Sequence, residues 1–295
     1  MGFFGIYKEA FEITLSRKKI FLQISRSRLL PLTILFLSSI QLSYLTGYTL
    51  DISVINAIFN LLWVLLATST VVYTVACICT SRDITFKSAI GVFPKVGGRL
   101  FATFLWCFHI WAIYTGLVVG LFLWFFLSVN AQGQGKDKLV LITGIFLLIP
   151  FVIGLIYMEN IMSVAMVISI LENDVYGWKA LGKSIKLIRG KICVSFAVLL
   201  PLHIAIAGLV FAFTSLLVQG LMSLMSIVRS FYVTIACTLL LMVLIHFTLV
   251  IQTIVYFVCK SYHNEDLSNF AEHLGDGYAN LGGEQGDNQL QRPLV

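Results

Sequence analysis

Charge is what this sequence has least of. Asp, Glu, Lys and Arg together make up 12% of its 295 residues, against a hydrophobic share of 59%. A soluble domain dresses its surface with roughly 25% charged residues. Most of this chain's surface therefore faces something other than water. The mean hydropathy of +0.94 agrees. Proline is scarce as well, with five in the chain, and no Asn-x-Ser/Thr sequon occurs. The six cysteines (Cys77, Cys79, Cys107, Cys193, Cys237 and Cys259) lie inside or at the edges of apolar runs, never in a polar loop. That placement excludes a disulfide-stapled extracellular framework. The first 28 residues are charged and amphipathic, without a cleavage site after a short apolar core, so no removable signal peptide is expected.

What is present is a set of long uncharged runs. Crossing the hydrocarbon takes about 20 apolar residues in a helix. Six runs qualify: 29–49, 53–79, 100–128, 139–171, 192–219 and 231–259. They do not alternate polar with apolar over about 10 residues, as barrel strands do, and lipid leaves the backbone no third solution. The predicted fold is an all-α integral membrane protein with six transmembrane helices in three hairpins, each preceded by a cytosolic amphipathic helix. Residues 1–28 form the N-terminal segment, 29–260 the membrane domain and 261–295 a tail.

The cations set the orientation. Of the 20 Lys and Arg residues, all but Lys136, Lys138 and Arg229 fall on the side shared by both termini and the loops 80–99 and 172–191. Positive residues stay on the cytosolic side, so both termini are expected there. The net charge of +6 is this local bias and does not indicate a nucleic-acid partner.

Each pair of runs follows an amphipathic stretch. In 3–19, Phe3, Tyr7, Ala10, Phe11 and Thr14 share a face; in 84–100, Phe86, Ile90 and Phe93 do, until Pro94 and Gly97-Gly98 interrupt. In "GWKALGKSIKLIRG" (177–190), Trp178, Leu181, Ile185 and Ile188 form one stripe, and Lys179, Lys183, Lys186 and Arg189 form a basic membrane-surface set. This stripe is expected at the headgroup level with its lysines toward anionic lipid, capped by Asn173 or Asp174 at the start and by Gly190 at the end. Ala10, Ala89 and Ala180 mark equivalent points, consistent either with a threefold repeat or with the plain need for polar connectors.

The residues "FGIYKEAF…LSRKKIFLQI" and "MSVAMVISILENDVYGWKALGKSIKLIRGK" resemble a plant family of six-span membrane proteins without assigned activity. The second stretch is also similar to bacterial multi-pass proteins of unknown function. The resemblance implies a six-span fold and a plant origin, and it supplies no catalytic residues.

Intramembrane polar side chains are the remaining pointers to chemistry. His109, His203 and His246 all fall roughly 15–20 Å from the cytosolic end of their spans, and Glu159 comes to a similar depth. They could form one midplane cluster, or each histidine could simply bond a neighbouring helix. Run 139–171 would be about 50 Å long against a core of about 30 Å, so Glu159 could also sit at the cytosolic interface, with a kink at Pro150. Gly116 and Gly120 give a small-xxx-small face for helix packing or a homodimer. S-palmitoylation is chemically available at Cys77, Cys79, Cys193 and Cys259 near span ends, as is a plain packing role. The tail holds Glu265, Asp266, Glu272, Asp276, Glu284 and Asp287 and reads as disordered, suited either to recruiting a cytosolic protein partner or to solvating the end of the bundle. No His-Glu-x-x-His, P-loop, Gly-x-Ser-x-Gly or Asp-x-Asp occurs, and neither an enzymatic reaction nor a cofactor is expected. The expected role is to organise membrane or protein partners at the cytosolic face of an endoplasmic-reticulum, other endomembrane or plasma membrane. The alternative is transport of a small solute or ion through the His/Glu cluster.

Overall fold

The computed structural model describes residues 3–46, 50–80, 82, 84–131, 137–221 and 227–263. Every regular element among them is helical: α1 (Phe3–Ser16), α2 (Lys18–Ile24), a π-helical turn (Ser25–Leu29), α3 (Leu30–Thr46), α4 (Leu50–Cys79), α5 (Phe86–Ile90), α6 (Phe93–Ala131), α7 (Asp137–Leu171), α8 (Trp178–Ile188), α9 (Ile192–Leu221) and α10 (Ile227–Tyr262). Six stretches are long and apolar enough to cross a membrane: Lys18–Ser43, Val54–Cys79, Phe86–Ser128, Leu148–Leu171, Ile192–Val218 and Phe231–Tyr262. The acidic tail expected from 261 lies outside the described residues beyond His263, and α10 itself runs on to Tyr262.

Local sequence explains the departures from the expected boundaries. The first span joins the N-terminal segment without a loop, because the wide turn at Ser25–Leu29 lets the helix pass Pro31. Proline lacks the donor for the carbonyl four residues back, and its ring crowds that carbonyl. A π turn relieves both problems. Arg28, expected in the segment before the membrane, thus lies within the continuous helix, with its guanidinium 6.0 Å from the centre of the Trp63 ring. Pro94 and Gly97-Gly98 were expected to interrupt the second amphipathic stretch, yet α6 starts at Phe93 and runs straight through them. Proline is tolerated in a first turn, where its missing N–H has no helical partner to lose. The second stretch therefore shrinks to five-residue α5, whose start is capped by the Thr85 hydroxyl accepting from the Ser88 amide at 3.3 Å.

Packing divides the molecule along its length. α9 packs on α10, α6 on α7 and α3 on α4, while α10 also touches α1, α3, α4 and α7. At one end, where α7 and α10 finish and α6 and α9 begin, α4, α7 and α10 form a wrapped centre. No residue of 65–79, 160–171 or 244–260 is exposed. Hydroxyls are tolerated here because they bond within their own helices: Thr70 to the Leu66 carbonyl, Thr74 to that of Thr70, and Thr253 to that of Leu249. Toward the far end the apolar side chains turn outward, among them Leu117, Trp124, Phe146, Ile153, Phe211 and Phe231. Such a surface is untenable in water and ordinary in lipid.

The amphipathic faces are rotated from those expected. In α1, Ile6, Ala10 and Ile13 are buried, the Tyr7 hydroxyl donates to the Val198 carbonyl at 2.7 Å, and Phe11 points outward. In α8, Ala180, Leu181, Ser184, Leu187 and Ile188 are buried, leaving Trp178 and Ile185 exposed. The protein's own helices offer α8 a better apolar partner than the headgroup layer does. Neither Asn173 nor Asp174 caps α8; Gly177 does, at φ 59°, while Gly190 follows the helix at φ 98° as expected.

Pro150 sits inside a continuous α7. One turn further on, Gly154 leaves room for Tyr114, whose hydroxyl donates to the Phe151 carbonyl at 3.2 Å. A methyl group at position 154 would meet the Tyr114 hydroxyl head on. Gly154→Ala is therefore expected to lower the melting temperature of the detergent-purified protein, at a cost of about 1–3 kcal/mol. Tyr114→Ala in the same chain should make the added methyl nearly neutral, and equal losses with and without Tyr114 would contradict this packing.

Candidate functional site

The four side chains expected at one depth do not assemble. Glu159 and His203 meet, with Oε1 and Nε2 3.4 Å apart and half and one-third of their side-chain surfaces exposed. The other ring nitrogen of His203 lies 2.9 Å from the Leu199 carbonyl. His109 faces outward on α6, its Nδ1 2.7 Å from the Leu105 carbonyl. His246 is buried against α1 and α2, 3.3 Å from the Thr14 hydroxyl and edge-on to Phe21. Helix rotation explains the failure: equal depth on four helices does not make four side chains face one axis. Among the described residues, no three His, Cys, Asp or Glu side chains come together as metal ligands.

The polar centre lies instead at the wrapped end. Glu172 follows the last turn of α7, and its amide still donates to the Ile168 carbonyl at 2.8 Å. Its Oε1 accepts from Lys183 Nζ (3.0 Å), the Tyr256 hydroxyl (2.9 Å) and Lys260 Nζ (3.4 Å), and Oε2 accepts from Lys183 Nζ at 2.9 Å. Lys260 also donates to the Tyr256 oxygen at 3.3 Å. Tyr256 and Lys260 are buried. One carboxylate thus joins α7, α8 and α10. Burial pushes its pKa upward, but the hydrogen bond and charge of Lys183, the charge of Lys260 and the Tyr256 hydroxyl outweigh burial and hold it below the usual carboxylate value.

Helix ends around the carboxylate are closed by other side chains. Arg99 Nη1 donates to the Glu172 carbonyl (3.2 Å) and to the Asn173 carbonyl and Oδ1 (2.7 and 2.9 Å), covering the C-terminus of α7 from α6. His263 Nε2 lies 3.1 Å from each of the Leu187 and Arg189 carbonyls at the end of α8. Lys191 stands 4.8 Å from the Tyr262 ring centre, bridging the start of α9 to the end of α10. Deeper in, the Ser195 hydroxyl donates to Asn160 Oδ1 at 2.8 Å, a buried link from α9 to α7. Terminal carbonyls lacking helical donors are thus satisfied by cations and imidazole.

Lys183 is accordingly not a free membrane-surface cation, whereas Lys179, Lys186 and Arg189 are exposed. Of the four candidate lipidation cysteines, Cys193 is exposed and Cys79 half-buried, while Cys77 and Cys259 are sealed in the core, out of reach of an acyl donor. Among the described residues, no atom of another helix lies within 4 Å of a Cβ built on Gly116 or Gly120, so among them these glycines pack against no neighbouring helix. Glu172, Lys260, Arg99 and His263 were missed because each reads as an ordinary span-flanking polar residue, and Tyr256 because it reads as one more aromatic side chain inside the sixth run. The available signal was Glu172 itself, a carboxylate at a span end on the side crowded with cations.

Together the apolar helices and the ionic lock at one end define a multi-pass helical membrane protein. Its sequence matches the family described as Domain of unknown function (DUF8558) over residues 1–53 and 48–290, and the chain belongs to that family. No curated protein and no solved structure matches it.

Removing one member of a buried ionic group strands the others, at about 3–5 kcal/mol. Glu172→Ala should therefore destabilise strongly in thermal unfolding, and Glu172→Met with Lys260→Met should recover much of the loss. A carboxylate with a lowered folded pKa stabilises above its unfolded pKa, and loses that contribution as pH falls through the folded value. The stability gap between wild type and Glu172→Gln should be widest near neutral pH and close in acid. A gap independent of pH would contradict an ionised Glu172.

Proposed function

We propose that this is a non-enzymatic membrane protein that organises membrane or protein partners at the cytosolic face. The observation that carries this reading is the lock around Glu172, which ties α7, α8 and α10 into one unit, with Arg99 adding α6. Alternating access needs two halves that part at each face in turn. A buried charge cluster across three helices, in the wrapped part of the chain, opposes such parting. The exposed cations of α8 then offer a firm platform to anionic headgroups or acidic protein segments. The cytosolic sidedness of both termini and the three-hairpin topology rest on the cation bias, and the plant endomembrane or plasma-membrane setting rests on the family resemblance. The acidic tail is the surface for a protein partner.

One observation favours a second reading. Glu159 and His203 form a titratable, partly exposed pair within membrane-spanning helices, the kind of group that relays protons or binds ions. Liposomes reconstituted with the purified protein separate the two. Proton or ion flux should be indistinguishable from that of empty vesicles, and unchanged by His109→Ala, His203→Ala and His246→Ala together. Flux abolished by Glu159→Gln or His203→Ala would replace the organising role with transport.

A further inference from the structure

A groove of about 230 Å³ lies where α8 begins against α6, lined by Ala102, Trp106, Tyr176, Gly177, Trp178 and Lys179. We propose that it seats the headgroup and glycerol region of an anionic phospholipid, with an acyl chain running along α6. The site rests on the organising reading and names its lipid partner.

The groove is built rather than incidental. Gly177 adopts φ 59°, and its amide donates to the Thr103 hydroxyl at 2.8 Å, which draws the start of α8 against α6. A Cβ at this position would stand 3.2 Å from Trp106 Cδ1, so glycine also leaves the indole its place. The Trp106 and Trp178 rings stand 5.7 Å apart, both exposed. Indole and phenol rings of this kind prefer the level where headgroups meet hydrocarbon. The depth agrees. Trp106 is seven residues beyond Arg99, about 10 Å inward from the charged end of the bundle.

Charge selects the ligand. Lys179 is exposed at the rim, and α8 presents its positive end to the groove without a capping side chain. Both favour a phosphate carrying net negative charge over a zwitterion whose ammonium would meet Lys179. Inward from Trp106 the same face of α6 continues through Ile113, Leu117 and Gly120, all exposed. At Gly120, as at neighbouring Gly116, the surface is bare backbone. That apolar track begins where the groove ends, which a free phosphate has no use for and an acyl chain does.

The test uses the full chain in phosphatidylcholine nanodiscs containing phosphatidylglycerol, with bromines on the acyl chains of one lipid or the other. At equal mole fraction, brominated phosphatidylglycerol should quench tryptophan fluorescence at least twofold more than brominated phosphatidylcholine. Lys179→Ala should reduce that preference at least twofold while leaving the melting temperature unchanged, and Lys186→Ala, on the same helix outside the groove, should preserve it. Trp106→Phe with Trp178→Phe should remove the excess quenching. Equal quenching by both lipids, or equal effects of Lys179→Ala and Lys186→Ala, would overturn the site. Preference abolished by millimolar inorganic phosphate would also overturn it, showing a free-anion site. The assay holds no protein partner, so its failure removes this lipid site alone; histidine- or Glu159-dependent flux with the lipid preference intact would remove the organising role alone.

Discussion

A carboxylate taken out of water must find positive charge, and Glu172 finds two lysines and a phenol. That requirement has a structural price, because Lys183 comes from α8, and Tyr256 and Lys260 come from the last turns of α10. Once those groups converge, α8 can no longer drift in the headgroup layer, and the ends of α7 and α10 are held in register. The Arg99 contacts with the Glu172 and Asn173 carbonyls extend the same constraint to α6. In hydrocarbon, apolar side chains meet lipid as readily as each other, so van der Waals packing and polar links decide which helices stay together.

The wrapped centre and the outward-facing far end follow from this. Near Glu172, α4, α7 and α10 are covered by α1, α2, α6, α8 and α9 around small and hydroxyl-bearing residues such as Ala76, Thr74, Ser169 and Thr253. Small residues let backbones approach, and the hydroxyls of Thr74, Ser169 and Thr253 donate to carbonyls of their own helices. Farther away, large apolar groups turn outward, and among the described residues the packing includes the α3, α9 and α10 cluster of Leu37, Phe213, Leu217, Cys237 and Leu241 and the Tyr114–Phe151 stack.

The groove between α6 and α8 belongs to the same logic. Burying Leu181, Leu187 and Ile188 within the protein turns Trp178 outward, and Gly177 brings it beside Trp106. The exposed lysine at the groove is Lys179, while Lys183 is engaged with Glu172. One rotation of α8 thus sets both the lock and the lipid-facing rim.

How much of this was legible depends on range. The six apolar runs, the basic flank and the stop at Gly190 are properties of contiguous residues, set by transfer free energy and local backbone freedom, and they can be read without a partner in view. The direction a side chain faces is different. His109, His203, His246 and Glu159 match in depth, yet only His203 and Glu159 share a facing. Glu172 and Lys260 lie far apart in the chain and carry no mutual signal, although they meet in space. By itself the sequence determined that the chain is helical and membrane-embedded, because hydrophobic transfer and backbone hydrogen bonding act on each segment alone. Helix rotation and packing decided which charges are buried together, which lysine stays free and which indoles meet, since those depend on neighbours that only the folded chain supplies.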